Sequence, residues 1–391
     1  MPTFQKVKIK DIAREQRDAY FPSASEDLSY IGLEHIEQQT LRLSDIGKSS
    51  DATSQKKKFI AGDVLYGSLR PYFRKVYKPK FDGVCSTDIA VLKPKSNCDN
   101  SYLFYLIASP DFISKASGAG NGTKMPRAGW KVVKDFVFDV PDVAIQTRIA
   151  GVLSAYDDLI ENNEKRIKTL EQIAQLLYTE WFVKFEFPGH EKSKLIDSHT
   201  PYGPIPEGWE VKKLEDIANL IMGQSPTSDN YNFEKLGLPF HQGVADFGHK
   251  YPIDRVYSNA GNKYTENNDL LFSVRAPVGR MNIANKKIIL GRGLCAIRHK
   301  QALQSLLFLM FASKFTEKDM IGNGAIYKSV NRAELENIKF VYPTEKIALE
   351  FENIVSKYFD EMQKLTILNQ TLSQTRDLLI PQLVTGKREL K

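Results

Sequence analysis

Between Pro141 and Pro188 the chain runs without proline, and apolar residues recur at alternating steps of three and four. They fall at Ile149, Val152, Tyr156, Leu159, Leu170, Ile173 and Leu177, with Asn163 and Arg166 as polar interruptions. That spacing is the seam of a coiled coil, and one polar residue at a seam position is a device for holding register. A helix of about forty residues would be about 60 Å long. The same rhythm returns near the end of the chain at Phe351, Ile354, Tyr358, Leu365, Leu368, Leu372 and Leu379. A shift of 202 residues lays Phe351 on Ile149, Ile354 on Val152, Tyr358 on Tyr156 and Leu379 on Leu177. Pro381 is expected to end the second helix.

Outside these helices the pattern changes to short apolar runs bounded by Gly, Pro, Asn and Asp, which predict strands and turns. These runs occur twice. VKIKDIA (residues 7–13) matches VKKLEDIA (211–218), and GDVLYGSLRP (62–71) matches NDLLFSVRAP (268–277). GNGTK (120–124) matches GNGAI (322–326), and FVFDVP, ending at Pro141, matches KFVYP, ending at Pro343. The offset stays at about 202 to 206 residues, which indicates a tandem duplication. A short helix is expected at SYLFYLIAS in the first copy and at QSLLFLMFAS in the second. The Pro-, Gly- and Ser-rich stretch FPGHEKSKLIDSHTPYGPIPEGW reads as a linker with turns.

The expected fold is therefore α+β: two tandem mixed α/β domains separated by two long helices. The boundaries are residues 1–143 for the first domain, 144–187 for the first helix, 188–206 for the linker, 207–345 for the second domain and 346–391 for the second helix. An antiparallel coiled coil within the chain would bring the two seams together and relate the copies by an approximate two-fold axis. Pairing of each helix with a separate partner, or a helix-swapped homodimer, remains open at this level. Two like modules on a rigid spacer suit a duplex, as in dimeric DNA readers. The modules differ in sequence, so a bipartite, asymmetric target is expected.

Composition narrows the classes. The 391 residues suit two or three domains, and 42% hydrophobic content can fill proper cores. No run approaches a membrane span, and MPTFQKVKIKD lacks a secretory h-region. Cys85, Cys98 and Cys295 are scattered without a CxxC, which fits a reducing cytoplasm and neither a disulfide framework nor a zinc site. A net charge of +7 is compatible with a polyanionic partner.

In copy one, SLRPYFRKVYKPK (68–80) interleaves Arg70, Arg74, Lys75, Lys78 and Lys80 with Tyr72, Phe73 and Tyr77. Arginine can bind guanine bidentately, lysine can neutralise phosphate, and aromatics can pack on sugar or base. A half-buried strand with a solvated basic face would look the same. The matching stretch in copy two, SVRAPVGRMNIANKK, carries Arg275, Arg280, Lys286 and Lys287. The glycine loops add Lys124 and Arg127 in one copy and Tyr327, Lys328 and Arg332 in the other. Glycines allow close backbone approach, although GxxxxGK[ST] is not met and a plain connecting loop is the competing reading. YIGLEHI and PFHQGVADF correspond loosely and contribute Gln242, with His35 and His241 as weaker candidates. Catalytic constellations are missing from the sequence. There is no Pro-Pro for an amino-methyltransferase motif, no GxGxxG and no HExxH among the six histidines. Glu210-Val-Lys212 lacks the acidic pair that a nuclease requires.

The IPEGWE entry before KLEDIA, GDVLYGSLRP, QTRIAGVLSAYDDLIENNEKRIKTLEQIAQLLYTEWF and the LLIPQLVTGK ending together resemble the specificity (S) subunits of type I restriction–modification systems, over essentially the whole chain. The resemblance implies two target recognition domains, each reading half of a split site in double-stranded DNA. It implies two methyltransferase (M) subunits and two restriction (R) subunits as partners. S-adenosylmethionine, ATP and Mg would belong to those partners, with no cofactor or metal in this chain and no catalysis by it. QTRIAGVLSAYDDLI has become IALEFENIVSKYFDEM in copy two, so symmetric docking of M would rest on geometry. Base-contacting residues do not carry over, because these domains vary across the family. A specificity subunit serving a fused type II nuclease–methyltransferase, or a coiled-coil scaffold without DNA readout, are the alternatives.

Overall fold

The computed structural model describes residues 4–23, 26–119, 125–315 and 329–388. It divides into two compact units, Met1–Asn163 with Ile367–Lys391, and Glu164–Thr366. Each unit takes one half of each long helix.

The first unit opens with strand Gln5–Lys8, which pairs antiparallel with Val137–Val140. The repeated Asp-Ile-Ala motif then ends one helical turn, Ile9–Ile12. It buries both isoleucines, and Asp11 accepts the Lys8 backbone N–H at 3.3 Å. Next comes a four-stranded antiparallel sheet in the order Ala13–Gln16, Ile89–Pro94, Val64–Gly67, Val76–Tyr77. This sheet is apolar on both faces. Val64, Tyr66, Ala90 and Leu92 point into the main core, whereas Leu65, Ile89 and Val91 point into a second, smaller one. A period of two with both faces buried explains why DVLYG and DIAVL read as continuous apolar runs. Over the smaller core lies a five-stranded sheet, in which Ser29–Ile31 runs parallel to Gly83–Cys85.

The second unit repeats this plan. Glu210–Lys213 pairs with Lys339–Tyr342, and Asp216 accepts the Lys213 N–H at 3.0 Å above the turn Leu214–Ile217. The four-stranded sheet runs Ala218–Met222, Leu294–His299, Leu270–Ser273, Met281–Ile283. Leu270, Phe272, Cys295 and Ile297 face the main core, and Leu271, Leu294 and Ala296 face the smaller one. Leu238–His241 runs parallel to Ile289–Leu290, the counterpart of the parallel pair above. Buried acids repeat as well: Asp63 beside Lys93 at 3.5 Å, and Asp269 beside Arg298 at 2.8 Å. Part of the expected linker folds as a hairpin, Leu195–Asp197 against Pro204–Pro206.

The first long helix is Val143–Tyr178, followed by a π-helical turn, Thr179–Val183. The second is Glu345–Val384. Pro381 lies inside it and does not end it. Leu383 and Val384 are buried beyond the proline, and Tyr102 Oη donates to the Val384 carbonyl at 3.0 Å, so packing of the last turn outweighs the missing N–H. Within the first unit the two helix halves run antiparallel. Asn163 Nδ2 donates to Asn369 Oδ1 at 2.8 Å, and Arg376 reaches Asp157. Within the second unit they do so again: Arg166 meets Glu361 at 2.8 Å, and Tyr178 and Trp181 pack on Phe351. Each helix also holds its module. Gln146 accepts the N–H of Asp99 at the start of helix Asn100–Ala108, and Glu352 accepts those of Ser305 and Leu306 in helix Gln304–Lys314.

The buried face differs from the expected seam. Ile149, Asn163, Phe351 and Leu365 are buried, and Tyr156, Leu170, Leu177, Tyr358, Leu372 and Leu379 are half-buried. Val152, Leu159, Ile173, Ile354 and Leu368 are exposed, and the next residue in each case, Leu153, Ile160, Ala174, Val355 and Asn369, is buried instead. Most of these sites offered two adjacent apolar residues, and both phases of a three-four repeat were written there.

Candidate nucleic-acid interface

The basic run of the first module is mostly committed to the fold. Arg74 is 7% exposed, donates to the Ala108 and Gln39 carbonyls at 2.7 and 3.2 Å and pairs with Asp377 at 3.0 Å. Lys75 Nζ donates to the Leu33 carbonyl, and burial pulls its ammonium below the usual lysine range. Lys78 donates to Ser101 at 2.7 Å, and Lys80 pairs with Asp158 and Glu161 on the first long helix. Arg74 and Lys75 are thus corrected from DNA contacts to structural anchors. Spacing on one strand shows that cations are present but not which acids and carbonyls the rest of the chain brings to them. Tyr72 is exposed, against Phe73. Arg70 stays at the tip in a left-handed conformation, φ 52°, with its guanidinium 6.0 Å from the Phe73 ring.

Chain segments converge around that tip. The Ser86 N–H donates to the Ile31 carbonyl at 3.0 Å, and the Ser68 N–H donates to that of Asp88 at 2.8 Å. On the far side Ala128 N–H donates to Ser68 at 2.9 Å, and Leu69 bridges Arg127. The rim therefore carries Arg70, Thr87, Asp88 and Arg127, with Arg127 3.4 Å from Asp88. The two stretches singled out separately in the sequence lie side by side.

The second module builds the same rim with the same backbone bonds. Gly291 N–H donates to the His241 carbonyl at 2.8 Å, Val274 N–H to Gly293 at 2.9 Å and Val330 N–H to Val274 at 2.9 Å. Arg275 bridges Ser329. Gln242, Arg275 and Arg292 are exposed here. Arg280 is also exposed, just before the strand Met281–Ile283, and its carbonyl accepts the Ser273 N–H at 2.9 Å. Arg332 starts the short helix Arg332–Glu336 and pairs with Glu336 at 2.6 Å. Lys124, Tyr327 and Lys328 lie outside the described residues.

Arg292 was missed by sequence reasoning. Its signal was the Gly-Arg-Gly triplet in the loop between two buried strands, where flanking glycines mark a close backbone approach. The histidines serve the scaffold. His35 Nδ1 accepts the Gly32 N–H at 3.0 Å. His241 is fully buried, with Nε2 3.0 Å from Asp254, which Lys286 also meets at 2.6 Å. Burial alone would raise the Asp254 carboxyl, but His241 and Lys286 outweigh it and hold it below the usual range. Burial pushes the thiols of Cys85, Cys98 and Cys295 up to about 12, so all three are unreactive core residues. Among the described residues no group of His, Cys, Asp and Glu could hold a metal, and no helix is long and apolar enough to cross a membrane.

The profile of the family described as the type I restriction modification DNA specificity domain matches residues 1–172 and again 206–374, one match for each copy. The putative type I restriction enzyme MjaX specificity subunit of Methanocaldococcus jannaschii is 30% identical, over 98% of this chain and 93% of its own length. The HindI specificity subunit of Haemophilus influenzae is 23% identical, over 99% of this chain and 100% of that one. Among solved structures, the type I restriction–modification S subunit from M. genitalium has the same fold. Its TM-score is 0.60 at 14% identity, over 100% of this chain and 97% of that one. A duplicated module with a rim built twice from the same backbone bonds, matched twice by one profile, places this chain in the type I restriction–modification DNA specificity family.

Proposed function

We propose that this chain reads a split, asymmetric site in double-stranded DNA, one half with each module, as the non-catalytic specificity subunit of a type I complex. One observation carries the reading. Both modules build the same rim from equivalent backbone bonds, yet they line it with different side chains: Arg70, Asp88 and Arg127 in one, Gln242, Arg275 and Arg292 in the other. A shared frame with unlike groups is what two half-sites of different sequence require. The long helices act as an antiparallel coiled-coil spacer that fixes the gap between the halves under a pseudo-two-fold axis. The antiparallel contacts inside each unit support this. Methyltransferase subunits dock on the helices, and restriction subunits join them; the exposed Val152, Leu159, Ile173 and Ile354 supply apolar surface for such docking. S-adenosylmethionine, ATP and Mg act in those partners.

The test is to co-express the chain with its methyltransferase partner and map methylated adenines by long-read sequencing. A motif in two unlike halves is expected. Exchanging residues 1–143 for a homologous module should then change one half and spare the other; a continuous motif, or change in both halves, would refute the reading.

A further inference from the structure

The second rim is rigid in a way that its side chains can exploit. Three segments distant in sequence, around residues 223–225, 241–243 and 291–293, press backbone against backbone. A Cβ on Gly291 would lie 2.7 Å from Gln242 Cα, one on Gly293 2.4 Å from the Gln242 carbonyl oxygen, and one on Gly223 2.1 Å from that of Gly291. No side chain fits at any of the three, so glycine is required for the approach. Hydrogen bonds close the gaps. The Gly293 N–H donates to the Gln242 carbonyl at 3.1 Å, the Arg292 N–H to Ser225 Oγ at 3.1 Å, and the Gln242 N–H to Asp246 Oδ2 at 3.1 Å. Asp246 is buried and is itself gripped by Arg255 at 2.7 Å.

Gln242 and Arg292 therefore stand on adjacent, immobilised backbone, with both side chains exposed and without a side-chain partner among the described residues. Arg275 follows on the neighbouring segment, joined through the Val274–Gly293 bond. Among the described residues none of the exposed groups on this rim is acidic, whereas the first rim carries Asp88. Glutamine offers a planar donor–acceptor pair that matches adenine N7 and N6, and arginine offers a planar pair of donors that matches guanine O6 and N7. Lysine or serine on a flexible loop would give charge without that geometry.

We infer that Arg292 and Gln242 are specificity-determining residues that read neighbouring purines in one half-site, with Arg292 specifying a guanine. This rests on the DNA-reading function proposed above. The turn in the first module, with Ser86, Thr87 and Asp88 at the equivalent places, presents hydroxyl and carboxylate groups instead, and so reads different bases.

The test uses the chain assembled with its methyltransferase partner. Methylated motifs and methylation rates on duplexes carrying each base at each half-site position are compared for the unaltered complex, Arg292→Ala and Arg292→Lys, with far-UV circular dichroism to confirm folding. Arg292→Ala should lose discrimination for guanine at a single position of one half-site by about 10- to 100-fold, leaving the other half intact. Arg292→Lys should keep affinity for duplex DNA but lose the same discrimination, because a point charge lacks the bidentate fork. An unchanged motif, or equal weakening on every duplex, would overturn the inference. If the unaltered complex shows no split motif, the proposed function fails before Arg292 is tested, so the two failures are distinguishable.

Discussion

Asn163 and Asn369 offer a direct test of how the helix halves of the first unit are held. Both are buried, at 1% and 6% exposure. Asn163 Nδ2 donates to Asn369 Oδ1 at 2.8 Å, and Asn369 Nδ2 donates onward to the Ile160 carbonyl at 3.3 Å. Asn163→Ala removes one bond, with a net value of about 1 kcal/mol, and leaves the Asn369 oxygen buried without a donor, at a further cost of about 1–3 kcal/mol. Asn369→Ala strands the Asn163 amide in the same way. Each single variant should lose about 2–4 kcal/mol. The double variant leaves no orphan and loses the bond once, so its loss should fall short of the sum by at least about 3 kcal/mol. Asn163→Leu with Asn369→Leu should recover stability to or beyond the starting level, because two polar groups give way to apolar contact. Urea denaturation followed by far-UV circular dichroism measures all four variants at unchanged m-value. Additivity within about 0.5 kcal/mol would refute the coupling between the two amides.

Two further outcomes follow from buried charge. Arg376 is 1% exposed and serves Asp157 and Asp377, while Tyr105 Oη donates to Asp157 at 2.5 Å and Arg74 to Asp377 at 3.0 Å. Arg376→Met should cost about 2–4 kcal/mol in urea denaturation, because it strips a cation from two partly buried carboxylates; a loss under about 1 kcal/mol would contradict the account. His299 is 3% exposed, 3.0 Å from Tyr342 Oη, and burial pushes its imidazole down to about 4 from the ordinary 6.5. The unfolded chain then takes up the proton first, so stability should fall as pH drops from 6.5 to 4, by at most about 3 kcal/mol. His299→Gln should flatten the melting temperature across that window, and an identical slope in both proteins would refute the assignment.

The duplication, the two long helices and the mixed strand-and-turn modules are legible in the residues themselves. They are properties of periodicity, and periodicity is local: a period of two or of three-and-four marks an element before its partners are known. The Asp-Ile-Ala turn shows the same thing in miniature, since its aspartate caps its own turn in both copies. Choices among neighbours were not legible. Whether Val152 or Leu153 faces inward depends on what the helix packs against, not on its own repeat. Arg74 looked like Arg70, yet one is tied to a carboxylate about three hundred residues away and the other stands at a tip. The rim itself is an extreme case. Residues near 242, 275, 292 and 330 become neighbours only when the strands of the sheet take their order, and the glycines that admit the contact carry no chemistry of their own. Sequence alone determined that this protein is one module written twice, each copy followed by a long helix. Tertiary structure decided which polar side chains the fold consumes and which it leaves facing outward, because pairing partners and burial are set by contacts between distant segments.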